Sequence, residues 1–159
     1  MKRFALTLAA LAIAAAAHAQ VTVKDPWVRA TVPQQKATGA FMQLTAAQDV
    51  KLVAGSSPVA GVVEIHEMVM DNNVMKMREV PGGLALPAGK TVDLKPGGYH
   101  VMLMDLKGQV KDGELVPVSL VFEGKDGKKQ TVEVKAPARP LNAAAKTDAS
   151  QGGHAGMKH

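Results

Sequence analysis

The sequence predicts an all-β fold, an antiparallel β-sandwich or Greek-key barrel of one domain, on three observations. From Val21 onward no apolar period of 3.6 persists long enough to build a helix. The apolar residues fall instead in short segments of β-forming character. Turn residues interrupt these segments at regular intervals, as Pro26, Pro33, Ser56-Ser57-Pro58, Asn72-Asn73, Pro81-Gly82-Gly83, Pro96-Gly97-Gly98, Lys111-Asp112-Gly113 and Lys125-Asp126-Gly127. Many short strands with turn signals at this spacing are the pattern of a sandwich.

The first element is not part of that fold. The chain opens MKRFALTLAALAIAAAAHAQ, with basic Lys2 and Arg3, an apolar run from Phe4 to Ala17 and the small-x-small pattern Ala17-His18-Ala19. This predicts a Sec-type signal peptide over 1–19, cleaved after Ala19, and a protein exported to the periplasm. The run is short for a bilayer and no second hydrophobic segment follows, so no membrane span is expected. What remains is about 140 residues, enough for one domain, placed at 20–138.

Ten strands are expected in order: Val21 to Lys24, Trp27 to Ala30, Gly39 to Thr45, Val50 to Gly55, Val62 to Met70, Val74 to Val80, Thr91 to Leu94, Tyr99 to Leu106, Leu115 to Glu123 and Lys129 to Lys135. Val116, Val118, Leu120 and Phe122 alternate with a second, largely apolar set, which reads as a central strand. Gln130, Val132 and Val134 alternate with Thr131, Glu133 and Lys135, which reads as a half-buried, edge-side strand. Trp27 and Phe41 are bulky enough to anchor the core. Arg29 shares the face of Trp27 by alternation and is expected to pair at the surface. After Pro140 the composition shifts to LNAAAKTDASQGGHAGMKH, a segment with almost no large apolar residues that reads as a flexible tail over 139–159.

Composition excludes several functions. The formal charge of +5 falls to +3 when Lys2 and Arg3 leave with the leader, and the remaining basic residues are scattered without aromatic interleaving, so no nucleic-acid footprint is present. There is no cysteine. That removes a disulfide framework, a blue-copper thiolate centre and every cysteine-nucleophile mechanism. Asp, Glu and Ser are dispersed, Gly82-Gly83 and Gly97-Gly98 sit in Pro-Gly-Gly turns, and no HExxH occurs, so a non-enzymatic protein is expected.

The chemistry concentrates between His66 and Met104. On strands, side chains alternate faces, so His66, Met68 and Met70 share one face, and so do His100, Met102 and Met104. Asn72-Asn73 suits a two-residue turn, because Asn tolerates positive φ. Such a turn sets Met70 opposite Met75, Met68 opposite Met77 and His66 opposite Glu79. Thioethers select Cu(I) and imidazole also suits copper, so the patch has the chemistry of a monovalent copper site. His66, Met77, His100 and Met102 form the simplest ligand set, with Met68, Met70, Met75 and Met104 as competitors or surrounding shell. Glu64 and Glu67 near His66 hint at a harder ion such as zinc, but alternation turns Glu67 to the opposite side. His154, Met157 and His159 repeat the same chemistry in the tail, as an auxiliary arm for copper, including Cu(II). A metal-free structural or adhesive β-sandwich with a Met-rich face, and a copper storage or resistance protein, compete with the carrier.

These segments resemble the periplasmic PCu(A)C-type copper chaperones, once a domain of unknown function. The likeness runs through DPWVRAT at Asp25 to Thr31, TGAFMQL at Thr38 to Leu44, VEIHEMVMDNNVMKMREV at Val63 to Val80 and LKPGGYHVMLMDLK at Leu94 to Lys107. The family pattern is His, ten residues, Met, about twenty-one residues, His-x-Met; ten residues separate His66 from Met77 and twenty-two separate Met77 from His100, the extra one falling in the Pro81 to Lys90 loop where insertion is easily absorbed. The resemblance implies a cupredoxin-like β-sandwich that binds one Cu(I) through His66, Met77, His100 and Met102. It also implies delivery to the CuA centre of cytochrome oxidase, with a copper-accepting oxidase subunit and a Sco-type thiol protein as partners; separately, the chain is expected to be a monomer.

Overall fold

A computed structural model describes residues 20–140; the leader expected over 1–19 and all of the tail expected over 139–159 but its first two residues, with His154, Met157 and His159, lie outside them. Ten strands and no helix make up the described residues: β1 (Val21–Arg29), β2 (Ala37–Ala46), β3 (Val50–Ser56), β4 (Ala60–Asp71), β5 (Val74–Glu79), β6 (Leu84–Leu86), β7 (Thr91–Leu94), β8 (His100–Leu106), β9 (Leu115–Gly124) and β10 (Lys129–Arg139). They run in the order β5-β4-β8-β2-β1-β10-β9-β3-β6, with β7 on the far half of β2. One core cluster draws Val28, Ala40 and Leu103 from the first half of this path and Leu52, Leu120 and Phe122 from the second. The sheet therefore folds over on itself, and β10 is the strand that passes between the layers.

The all-β reading holds, and its departures have local causes. Two of the expected strands are one, because β1 continues through Asp25-Pro26 by a bulge. Lys24 pairs with Gln43 and Trp27 with Phe41, so β1 carries one residue more than β2 across this interval. Asp25 takes φ of 50°, and the irregularity accommodates Pro26, which has no amide proton for the ladder. The Pro81 to Lys90 stretch is not purely a loop, since Leu84–Leu86 pairs with β3; three residues are too few to show a period. β10 is an edge over its first part, as its alternation suggests, but it extends to Arg139 and there meets β1 in parallel, Val28 against Ala138.

The bulge also decides the place of Trp27. Without the extra residue, alternation from Lys24 would aim Trp27 at the core; with it, Trp27, Arg29 and Phe41 share the outer face while Val28 and Ala40 point inward. Trp27 and Phe41 are buried but lie outside the main core cluster. Their rings stack at 4.7 Å between centroids, and Arg139 lies over the Trp27 ring at 5.4 Å. They anchor the site described next, not the core. Arg29 likewise does not pair at the surface: its guanidinium sits 5.5 Å from the centre of the Phe41 ring, and its Nε is buried without a hydrogen-bond partner.

Candidate metal centre

The β4–β5 hairpin has the register read from the sequence: Met70 faces Met75, Met68 faces Met77 and His66 faces Glu79. Its turn residues Asn72 and Asn73 take φ of 48° and 63°, the two positive values that a primed turn demands. β4 is longer than its other neighbour. It pairs with β8 only from Ala60 to His66, so beyond His66 the hairpin continues as a two-stranded arm.

The pairing of β4 with β8 sets His66 directly opposite His100, with ring centroids 5.8 Å apart. Both imidazoles are buried. His66 Nε2 lies 2.7 Å from the Glu64 carboxylate, and His100 Nδ1 lies 3.1 Å from the Gly98 carbonyl oxygen. Carboxylate and carbonyl oxygens only accept, so these ring nitrogens carry the protons and donate. That leaves His66 Nδ1 and His100 Nε2 as the nitrogens with free lone pairs. His66 Nδ1 is buried with no hydrogen-bond partner. His100 Nε2 lies 2.9 Å from Met77 Sδ. Metal-binding histidines nearly always donate the other ring N–H to a carboxylate or carbonyl in this way.

Burial lowers the His100 pKa; the Gly98 carbonyl opposes the shift, and electrostatic interaction with the nearby His66 and Arg29 side chains adds to it. The imidazole is thus held neutral, and the Nε2–Sδ contact brings two lone-pair donors together with no proton between them. A tetrahedral ion with N and S bonds of about 2.0 and 2.3 Å needs such donors roughly 3.5 Å apart, so a small outward shift of the Met77 side chain admits one. Met77 is 46% exposed, free to make that shift and a poor candidate for a packing residue.

Met102 faces Glu64 across β4 and Gly39 across β2. It stands one same-face step from His100, on the face of the Phe41 ring. Gly39 is needed there: a Cβ would come within 2.8 Å of Phe41 Cζ. That ring is 6.2 Å from the His100 ring, so Gly39 makes room for the aromatic wall of the site. Met68 joins Met77 beside His66. Met104, opposite Val62, and the Met70 and Met75 pair stand two same-face steps from the histidines, roughly 13 Å along the strands, and are not brought to them. Glu67 pairs with Arg78 at 2.9 Å on the other face, as alternation requires. Among the described residues no group of three or more His, Cys, Asp or Glu side chains could hold an ion, which leaves the soft His/Met set.

Sequence reasoning did not assign Glu64 as the acceptor that orients His66, nor Gly98 for His100. Both signals were present, since each acceptor stands two residues before its histidine. Arg29 as a neighbour of the site needed the β1 bulge to be known, and Phe41 needed the pairing of β2 with β8.

The family described as "Putative lipoprotein LpqE-like" matches residues 21–138. A Leifsonia xyli subsp. xyli protein described as "Putative lipoprotein Lxx21020" is 34% identical over 114 residues, 72% of this chain and 68% of the relative. The solution structure of CuI-DR1885 from Deinococcus radiodurans is 34% identical, with a TM-score of 0.59 over 80% of this chain and 85% of that one. The copper-bound PCuAC domain from PmoF2 has a TM-score of 0.59 over 77% of this chain and 98% of its own, and at 23% identity it speaks for the fold alone. The match across the whole described domain and the shared fold make this chain, a cupredoxin-like all-β domain, a member of the LpqE-like, PCuAC-type family.

Proposed function

We propose that the chain is an exported, non-enzymatic copper carrier that holds one Cu(I) through His66, Met77, His100 and Met102. The observation that carries this reading is the pair of facing histidines, each with one nitrogen committed to an oxygen acceptor and the other left bare, one of them against a thioether. Neutral imidazole and thioether donors form a soft set that favours Cu(I) over harder ions. The Deinococcus relative at 34% identity is named as a Cu(I) form, which supports the same cargo here.

The exposure of Met77 suits a carrier. Release proceeds by ligand exchange, and a partly exposed thioether is the first donor that an incoming ligand can replace, while the two buried imidazoles hold the ion to the end. Delivery to the CuA centre of cytochrome oxidase, with a copper-accepting oxidase subunit and a Sco-type thiol protein as partners, is the destination we assign. The leader over 1–19 and relatives named as lipoproteins support export to the periplasm. The tail, through His154, Met157 and His159, is assigned an auxiliary copper role, including Cu(II).

The test is competition with a Cu(I) chelator on the wild type and on His100→Ala and Met77→Leu. Both variants are expected to lose affinity, the histidine variant more, with one Cu(I) per domain held against the chelator in the wild type. Unchanged affinity in His100→Ala would refute the assignment. A metal-free structural role predicts no copper retained by either protein.

A further inference from the structure

Met68, Met70 and Met75 of the hairpin arm are left over by a four-ligand site. Beyond His66 the arm pairs with nothing but itself, so its side chains have no core to fill. Met70 is 65% exposed and Met75 48%; for unbranched apolar residues on a two-stranded arm, packing does not explain them. They face each other across the ladder, and directly opposed side chains have Cβ atoms about 5 Å apart, within reach of one ion for two thioethers. Beyond the His66–Glu79 pair the charges of the arm lie on its other face. There Lys76 pairs with Asp71 at 2.9 Å and Arg78 with Glu67 at 2.9 Å. From the tip inward the first face offers Met70 with Met75, then Met68 with Met77, and only then His66, with Glu79 across β5 and His100 across β8.

We propose that Met70 and Met75 form a second, weaker site for a soft monovalent cation, an outer station through which Cu(I) enters and leaves the inner site. This rests on reading the inner site as a Cu(I) site. Successive pairs on one face are about 7 Å apart along the strands. The ion passes from Met70 and Met75 to Met68 and Met77, and from there to the imidazoles. Each step breaks a copper–sulfur bond as another bond forms. The copper stays monovalent throughout, and no thioether gains or loses a proton. Two donors bind more weakly than four, so the station fills after the inner site at equilibrium and acts mainly on rate. Because thioethers do not titrate, its occupancy does not change on acidification.

The test uses silver(I), a redox-stable soft monovalent ion, on the full chain carrying methyl-labelled methionine. The first equivalent is expected to move the Met77 and Met102 methyl resonances and the second those of Met70 and Met75, unaltered at acid pH. In Met70→Leu/Met75→Leu, which keeps volume at exposed positions, the equilibrium Cu(I) affinity should match wild type while transfer to a chelator slows severalfold. A second equivalent that moves only Met157, or a transfer rate unchanged in the double variant, overturns the outer station and leaves the inner site standing. A first equivalent that leaves Met77 and Met102 unmoved overturns both.

Discussion

His66 and His100 stand opposite one another on β4 and β8, and each is oriented by an acceptor two residues before it, Glu64 for one and the Gly98 carbonyl for the other. Only the spacing repeats: Glu64 shares the strand face of His66, whereas the Gly98 acceptor is a backbone carbonyl in the turn that precedes β8. Each acceptor fixes which nitrogen of its ring is free, before any ion arrives.

Glu64→Gln tests the value of that orientation. The amide keeps the shape and an acceptor oxygen but removes the carboxylate charge that receives the His66 N–H. Cu(I) affinity is expected to fall about tenfold, the lower end for such supporting partners, with little change in thermal stability. Chelator competition beside a melting curve separates the two effects.

Acid should weaken the apo-protein through His100. Its folded-state pKa is depressed, chiefly by burial, so between that value and the unfolded value of about 6.5 the unfolded chain binds more protons. The stability His100 contributes is present above pH 6.5 and is lost as pH falls through its folded pKa. The share of Cu(I) affinity owed to this imidazole persists further into the acid than a free histidine would allow. Melting and competition curves across a pH series, on wild type and His100→Ala, check both; a slope with the opposite sign contradicts the assignment.

Gly39→Ala is expected to be harmful although it adds one methyl group. The new Cβ would sit 2.8 Å from Phe41 Cζ, and the ring can yield only by disturbing Trp27 or His100. A loss of about 1–3 kcal/mol is the usual scale for such overpacking, and Cu(I) affinity should fall with it. Denaturant unfolding supplies the first number; Gly39→Ala combined with Phe41→Leu should recover much of the stability.

At the hairpin turn, Asn73 holds φ of 63°. Asn73→Ala should weaken the arm by about 1–2 kcal/mol, whereas Asn73→Gly is expected to be neutral, since only the first introduces a side chain poorly suited to the left-handed region. Amide exchange rates in β5 report on the arm without requiring global unfolding.

The resemblance carried further than the residues alone: the strand alternation pointed to a soft-metal patch, while the family and its fold came with the quoted segments and the match over 21–138. Period-two alternation and an Asn-Asn turn were enough for the hairpin register, the shared face of His66 with Met68 and Met70, and the separation of Glu67 from them. They are local properties, set by the pleat and by φ at two residues. Neighbour choice is not local. That β8 lies beside β4 and brings His100 against His66, that β10 joins β1 in parallel, and that one extra residue before Trp27 turns Trp27 and Arg29 onto the outer face beside Phe41 instead of toward the core were decided only when the two layers closed over Val28, Leu52, Leu103 and Phe122. Alternation says which side a residue takes on its own strand; only packing of the whole sheet determines whose side chain it meets there.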